Sequence, residues 1–208
     1  MNPNTDAFLD CLDKAQAETR PYRHWLLSDV LTEDTCAGVL ELAVEAPKIA
    51  DYGGTREASN DTRFYFNPEA CARSAACRQV VDTFKDARSI GKIEATCGID
   101  LAQGQLRIEY TQDRDGFWLE PHRDISVKLF TMLIYLSPEP ELADAGTDVF
   151  DQHLNHVKTA PFEPNHGLIF IPGADTWHGL RKRPIRGVRR SLIVHYVSHD
   201  WRERWQLA

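Results

Sequence analysis

The sequence lacks an apolar stretch long enough to cross a membrane, and it lacks a basic composition. A membrane-spanning helix needs about 20 mostly apolar residues, and no segment approaches that length. The formal net charge is -7, whereas a general nucleic-acid-binding protein needs a basic surface to neutralise phosphates. We therefore expect no membrane partner and no nucleic-acid partner.

Cysteine is scarce and scattered. The five cysteines are odd in number and show no Cys-x-x-Cys spacing, which argues against a zinc site and a disulfide framework. The first ten residues contain no basic segment followed by an apolar one, as a secretory signal would. We expect reduced thiols that serve as small packing residues in a cytoplasmic protein. These are Cys11, Cys36, Cys71, Cys77 and Cys97.

The composition that remains is that of a globular protein, with 42% hydrophobic and 26% charged residues among 208. This length suits one domain with a full hydrophobic core. No internal repeat or long linker divides the chain. We predict a single domain in which residues 1–103 are mainly helical support, residues 104–198 form a β-rich core and residues 199–208 form a C-terminal tail with a short helix.

Two amphipathic helices are predicted in the first half of the chain. Thr32 is the predicted N-cap of one helix, and apolar residues recur after it at helical spacing as far as Ala43. The second predicted helix spans about residues 75–87 and has one apolar side. Residues 1–20 are predicted to be a loose helix or arm, residues 22–30 a strand leading into a helix, and residues 62–66 a short strand.

Short β-type segments with turn residues between them begin at about residue 104. Helices first and strands afterwards favour an α+β chain in which helices cover one face of a β-sandwich or barrel. The predicted strands are residues 105–111, 127–136, 147–150, 157–160, 167–171 and 188–197.

Two histidines and one aspartate form a candidate metal site. If the segment around them is a strand, His122 and Asp124 share one face, because side chains alternate with period two. His178 follows the predicted strand 167–171 and a Pro-Gly turn, so it can supply a second imidazole from elsewhere in the sheet. Two imidazoles and one carboxylate leave three positions open on an octahedral ion, as in non-heme iron(II) oxygenases. His153 and His156 lie in a predicted loop and are not assigned as ligands.

Arg189, on the last predicted strand, is a candidate site for an acidic cosubstrate. It shares with Ser191 the face that turns away from the helices, while the other face is apolar. A guanidinium in the interior needs an anion, and it binds a carboxylate through two parallel hydrogen bonds. Two alternatives stay open, since Arg189 can pair with an acidic side chain of this chain, and Arg186 or Arg190 can be the anchor instead.

In these residues the chain resembles the iron(II)- and 2-oxoglutarate-dependent dioxygenase superfamily, in particular its prolyl-hydroxylase-like branch. The resemblance covers about residues 104–198, with a helical lead-in from about residue 22. Residues 130–137 resemble the third core strand of the family, and residues 146–150 the start of the next one. The pattern His-x-Asp, a distant His, then Arg-x-Ser is matched by His122, Asp124, His178, Arg189 and Ser191.

The resemblance implies a double-stranded β-helix, or jelly roll, with supporting N-terminal helices. It implies Fe(2+) as the metal, 2-oxoglutarate as the cosubstrate, and O2. The residues it implies are His122, Asp124 and His178 for the metal, and Arg189, Ser191, Tyr135 and Tyr110 for the oxoacid.

The implied reaction is hydroxylation of a substrate C–H bond with release of succinate and CO2. The presence of Asp124 argues against the halogenating relatives, which replace this carboxylate. A compact chain without a peptide-binding module or a basic face favours a small-molecule substrate. Candidate parts of the substrate cleft are Phe117 and Trp118 within residues 112–120, the loop 51–61, and residues 151–165 as a lid.

Two other functions stay open at this stage. A cupin-type metal enzyme that uses no oxoacid would keep the three metal ligands and would have no need of Arg189. A non-catalytic binding protein on the same fold would be expected to have lost a ligand, and none is lost. The sequence does not predict an oligomeric state.

Overall fold

The computed structural model describes residues 2–47, 53–55 and 63–208. The predicted loop 51–61 therefore lies outside the described residues except for positions 53–55. Within the described ranges the chain forms five α-helices. They are α1 (Pro3–Lys14), α2 (Glu33–Leu40), α3 (Pro68–Arg73), α4 (Ala75–Lys85) and α5 (Ala87–Cys97).

The described chain also forms eleven β-strands, and all of them pair antiparallel. They are β1 (Gln16–Glu18), β2 (His24–Leu27), β3 (Phe64–Tyr65), β4 (Gln105–Asp113), β5 (Leu119–His122), β6 (Lys128–Tyr135), β7 (Asp148–Phe150), β8 (His156–Thr159), β9 (Gly167–Phe170), β10 (His178–Leu180) and β11 (Arg189–Val197). A seven-stranded sheet has the order β1-β2-β9-β6-β11-β4-β3, and a four-stranded sheet the order β5-β10-β7-β8.

The helix boundaries follow from local capping. The Ser74 hydroxyl accepts from the Cys77 amide at 3.3 Å and so begins α4. The α5 helix ends at Gly98, whose φ of 67° is left-handed and suits glycine. Thr32 stands at the N-cap of α2 as predicted, but its hydroxyl donates to Asn4 Oδ1 at 2.9 Å and does not cap the helix. This hydroxyl therefore ties α2 to α1.

Two hydrophobic cores lie on opposite faces of the large sheet. Beneath the helices, the core contains Leu192 and Val194 of β11, as the alternation predicts. The second core combines residues of both sheets, such as Leu133 of β6 and Val149 of β7. The small sheet therefore covers the face of the large sheet that the helices leave open, and Arg189 belongs to that inner face.

The fold is a mixture of helices and antiparallel sheets, consistent with a jelly-roll core. The strands β1, β2 and β3 join the large sheet, so residues 1–103 contribute to the β-structure as well as supporting it. The short helix predicted in the tail is a 3-10 helix, Arg204–Gln206. None of the helices in the described part of the chain is long and apolar enough to span a membrane.

Candidate metal and oxoacid site

Strand pairing in the small sheet brings His122 and His178 together. His122 ends β5 and stands directly opposite His178, the first residue of β10. Residues that face each other on neighbouring strands project to the same side of a sheet, and the two imidazole centroids are 4.4 Å apart. The ring of Phe170, from the large sheet, lies 4.4 Å from the His178 ring. The histidine pair therefore faces the space between the two sheets.

Both imidazoles are oriented by the backbone in the same way. The Nδ1 atom of His122 lies 2.9 Å from the carbonyl oxygen of Glu120, and that of His178 lies 3.0 Å from the carbonyl of Thr176. A carbonyl only accepts, so Nδ1 carries a proton in each ring, and in the neutral form Nε2 carries the lone pair. Burial, followed by the effect of neighbouring His122, lowers the pKa of His178 to about 3. Neutral imidazoles with Nδ1–H bound to carbonyls are the usual form of histidine metal ligands.

Asp124 lies two residues beyond the end of β5 and its side chain is 3% exposed. Its Oδ2 accepts a hydrogen bond from Thr131 Oγ1 at 2.7 Å, and Oδ1 is 2.5 Å from the Lys128 ammonium. The carboxylate is therefore bound to the first half of β6. The Lys128 charge neutralises Asp124 within the chain.

The structure brings two of the three predicted ligands, His122 and His178, side by side. The carboxylate of the third, Asp124, pairs with the Lys128 ammonium. Among residues 2–47, 53–55 and 63–208, no group of three or more His, Cys, Asp and Glu side chains is arranged to hold a metal ion. The donor chemistry fits iron(II) nevertheless, because the set is two imidazoles and one carboxylate, and both His122 and Asp124 lie near enough to His178 to influence its pKa. His122 and Asp124 both line one cavity of about 420 Å3. Metal binding would require Asp124 Oδ1 to exchange Lys128 for the ion.

Arg189 begins β11 and is buried, with Asp113 of β4 as its partner across the sheet. Its Nη1 donates to Asp113 Oδ2 at 2.7 Å, and its Nε donates to the Ala145 carbonyl at 2.6 Å. Burial raises the pKa of Asp113, and the Arg189 charge opposes that rise. This is the internal ion pair that the sequence left open as an alternative to an oxoacid anchor.

The remaining predicted oxoacid contacts fall on two faces of the large sheet. Ser191 is fully buried beside Arg189, and its Oγ has no hydrogen-bond partner in the described part of the chain. The Tyr135 hydroxyl donates to Thr147 Oγ1 at 2.9 Å on the same inner side. Tyr110 is different, because it packs in the core beneath the helices together with its partner Leu192. Because side chains alternate between the faces of a strand, Tyr110 and Arg189 lie on opposite faces of the large sheet.

The two cavities near these residues differ in size. The inner one, of about 50 Å3, is bordered by His122, His178, Arg189 and Phe117 and has room for a few water molecules. The outer cavity of about 420 Å3 reaches the size of small-molecule sites. The side chain of Trp118 lies against Gly54 and beneath the Lys182 ammonium, 4.4 Å from the ring centroid.

Sequence reasoning missed three polar residues that bind the predicted ones, namely Asp113, Lys128 and Thr131, and a fourth, His195, that contacts Thr131. Each is buried in a strand of the large sheet. The available signal was a polar residue on the inner face of a largely apolar strand, since such a residue needs a partner.

Comparison with solved structures identifies related folds. A prolyl-4-hydroxylase from Pseudomonas putida has a TM-score of 0.61 and 13% identity, and the match covers 94% of this chain and 99% of that one. A Trichoplax adhaerens prolyl hydroxylase in complex with a hypoxia inducible factor peptide has a TM-score of 0.62 and 14% identity, covering 93% and 89%. The likeness is one of fold. It confirms the predicted resemblance to the prolyl-hydroxylase-like branch at that level.

A third structure extends the comparison to a different reaction. The non-heme alpha ketoglutarate dependent epimerase SnoN from nogalamycin biosynthesis has a TM-score of 0.56 and 13% identity, covering 93% of this chain and 82% of that one. For two further solved structures, the match with this chain covers only 61% and 65% of their length. No family model and no curated protein sequence matches this chain.

Proposed function

We propose that this chain is an iron(II)- and 2-oxoglutarate-dependent oxygenase that hydroxylates a C–H bond of a small molecule. The observation that carries the proposal is the His122–His178 pair, whose rings lie 4.4 Å apart with both Nδ1 atoms against carbonyls. The fold, shared with prolyl hydroxylases, supports it. On this proposal the two sheets form a double-stranded β-helix around the site.

Three side chains would hold the metal, namely His122, His178 and Asp124. Iron and 2-oxoglutarate together supply the oxidising chemistry when bound, and succinate and CO2 leave as products. The chain orients its two imidazoles through the carbonyls of Glu120 and Thr176. Phe170, whose ring lies 4.4 Å from the His178 ring, would keep water from the inner side of the pair.

Arg189 would bind the distal carboxylate of the oxoacid. It lines the same 50 Å3 cavity as His122 and His178, and Ser191 adds a hydroxyl that has no partner in the described chain. As it stands, the cavity is too small for 2-oxoglutarate, and Asp113 occupies Nη1 of the guanidinium. Oxoacid binding on this proposal requires the Asp113 carboxylate to yield its place.

The substrate would enter from the outer cavity of about 420 Å3, which is bordered by His122 and Asp124. The exposed Ile125 and the indole of Trp201 add apolar surface there. This volume suits a small molecule. Among the neighbours with this fold, the Trichoplax adhaerens enzyme is in complex with a peptide fragment, and SnoN is an epimerase from nogalamycin biosynthesis.

A second candidate function is a metal-dependent enzyme that uses no oxoacid. The observation that favours it is the buried Arg189–Asp113 pair, because an arginine with an internal carboxylate needs no bound one. His122, His178 and Asp124 would have the same role in this case.

One experiment tests the proposal and separates the two candidates. The purified chain is titrated with iron(II) under nitrogen, with His178→Ala as the control, and is then assayed with 2-oxoglutarate and O2 for succinate. Metal binding by the wild type, lost in His178→Ala, together with metal-dependent succinate formation is the expected result. Metal binding without binding or turnover of 2-oxoglutarate would favour the second candidate, and no metal binding would contradict both.

A further inference from the structure

We propose that Thr131 and His195 are positioning residues that fix the Asp124 carboxylate for binding a metal through Oδ1 alone. The inference rests on the proposed metal site and goes beyond its three ligands. Asp124 lies after the end of β5, where no strand pairing holds it. Its orientation must therefore come from side-chain contacts.

A hydrogen-bonded chain connects Asp124 to the large sheet. Thr131 Oγ1 lies 2.7 Å from Asp124 Oδ2 and 3.1 Å from His195 Nδ1. Thr131 and His195 are direct partners across β6 and β11, and both are buried. Because strand register sets their separation, the sheet presents a fixed hydroxyl to a carboxylate that belongs to a loop.

The number of available protons determines which atom donates in each of these two hydrogen bonds. Asp124 lies beside the Lys128 ammonium and is ionised, so its oxygens only accept. Thr131 has a single hydroxyl proton, and that proton goes to Asp124 Oδ2. His195 must then donate its Nδ1–H to Thr131 Oγ1, which selects one tautomer of the imidazole.

The position of the other ring nitrogen of His195, Nε2, supports this assignment. Nε2 lies 3.6 Å from Glu109 Oε1, whereas Nδ1 lies 3.1 Å from Thr131 Oγ1. A ring oriented by Glu109 would carry its proton on Nε2 and make a short contact with that carboxylate. The shorter contact of the ring is the one to Thr131, so we assign its orientation to the end that faces Asp124.

The consequence for Asp124 is that its two oxygens have separate roles. Oδ2 is bound by the Thr131 hydroxyl, whereas Oδ1 faces the ammonium of Lys128. A cation bound by Oδ1 replaces an ammonium, while a cation bound by Oδ2 would have to break a hydrogen bond built into the sheet. Outer residues of this kind typically change metal affinity by about 10- to 100-fold.

The test is Co(II) binding, measured by calorimetry and by visible absorption, so that no turnover is needed. Thr131→Val removes the hydroxyl at nearly constant shape, and Thr131→Ser keeps it. We expect Thr131→Val to bind Co(II) about 10- to 100-fold more weakly with a changed absorption band, and Thr131→Ser to resemble the wild type. Equal affinity in wild type and Thr131→Val would overturn the inference. Equal losses in both variants would overturn it too, because they would assign the effect to packing.

A second pair of variants tests His195, at the other end of this series of hydrogen bonds. These variants test the inference even if Thr131→Val does not fold. The amide of His195→Asn can place an N–H where Nδ1 stands, whereas His195→Leu cannot donate. We expect weaker Co(II) binding in His195→Leu and recovery in His195→Asn, and wild-type affinity in both would overturn the inference. Absence of Co(II) binding by the wild type would instead overturn the proposed function itself.

Discussion

Arg189 and Asp113 form a buried ion pair across β11 and β4, with Nη1 and Oδ2 2.7 Å apart. The rings of Tyr135 and Phe162 lie 5.8 and 5.5 Å from the guanidinium carbon, which places the pair in apolar surroundings. A buried guanidinium needs an anion, and Asp113 supplies it from within the chain. Any oxoacid that binds Arg189 therefore competes with this carboxylate.

The first prediction concerns Asp113→Asn. The amide keeps the shape of Asp113 but removes the charge, so the guanidinium gains more from an external carboxylate. A hydrogen bond between charged groups contributes about 1.5–3 kcal/mol, so 2-oxoglutarate should bind about 10- to 100-fold more tightly. The free energy of unfolding without ligand should fall by about 3–5 kcal/mol. Calorimetry with 2-oxoglutarate and urea unfolding measure the two effects.

Arg189→Ala and Arg190→Gln are the matched controls for this prediction. Arg189→Ala should lose 2-oxoglutarate binding and should also destabilise the fold, because it leaves Asp113 buried without its guanidinium. Arg190→Gln should bind normally, because Arg190 is half-buried and pairs with Glu139 at 3.5 Å, away from the cavity. Unchanged 2-oxoglutarate affinity in both Asp113→Asn and Arg189→Ala would show that this pair is structural.

The second prediction concerns the pH dependence of the metal-free chain. Burial lowers the pKa of His178 and of His195 to about 3, against an ordinary value of 6.5. Below pH 6.5 the unfolded chain takes up protons on these residues that the folded chain does not, so acid favours unfolding. The free energy of unfolding should therefore be highest above pH 6.5 and should fall steadily as the pH drops toward 3. Urea unfolding at pH 7.5 and 5 measures it, and a flat profile in that window would contradict the prediction.

The long strands of the large sheet were predictable from the sequence because their pattern is strong. The predicted strand 188–197 is observed as Arg189–Val197, and 105–111 as Gln105–Asp113. The strands that present the two histidines, β5 and β10, were not predicted. They have four and three residues and no regular alternation, and they owe their conformation to each other, 56 positions apart at the His122–His178 pair.

The candidate site was predictable in its residue types and less so in its pairings. The sequence pointed to His122 and His178 as neighbours, and the structure places them side by side. It did not point to Asp113 as the partner of Arg189, nor to Lys128 and Thr131 as the partners of Asp124. Those contacts depend on strand register and on where a loop returns to the sheet, which residue patterns alone do not determine.

The third prediction concerns the thiols. All five cysteines are free, and burial raises the pKa of Cys11 and of Cys97 to about 12. Thiolate is the reactive form, so these two should be alkylated by iodoacetamide at pH 8 only at the rate of unfolding. A reductant should leave the thermal midpoint unchanged. Rapid native-state labelling of Cys97, detected by mass spectrometry, would contradict this prediction.

The last prediction concerns Asp148, whose side chain holds the segment that follows the histidine-bearing strand β10. It accepts from the Arg181 amide at 2.6 Å and from Thr159 Oγ1 at 2.6 Å, and it pairs with Arg183. Burial alone would raise the pKa of Asp148, but these hydrogen bonds and the Arg183 charge hold it below its ordinary value. Its contribution to stability is therefore complete above about pH 4 and is lost as the pH falls through the lower folded value.

Asp148→Asn should lower the free energy of unfolding by about 3 kcal/mol at pH 7, because it strips a buried cluster of its charge. Glu139→Gln is the matched control, since it breaks a partly exposed pair with Arg190 and should cost less than about 1 kcal/mol. Because Asp148 stands opposite Gly179 in the β7–β10 pairing, its loss should also loosen the His178 backbone. Hydrogen exchange at residues 178–183 should then be faster in Asp148→Asn and unchanged in Glu139→Gln. Equal costs for the two variants, or equal exchange, would show that Asp148 does not secure the strand that presents His178.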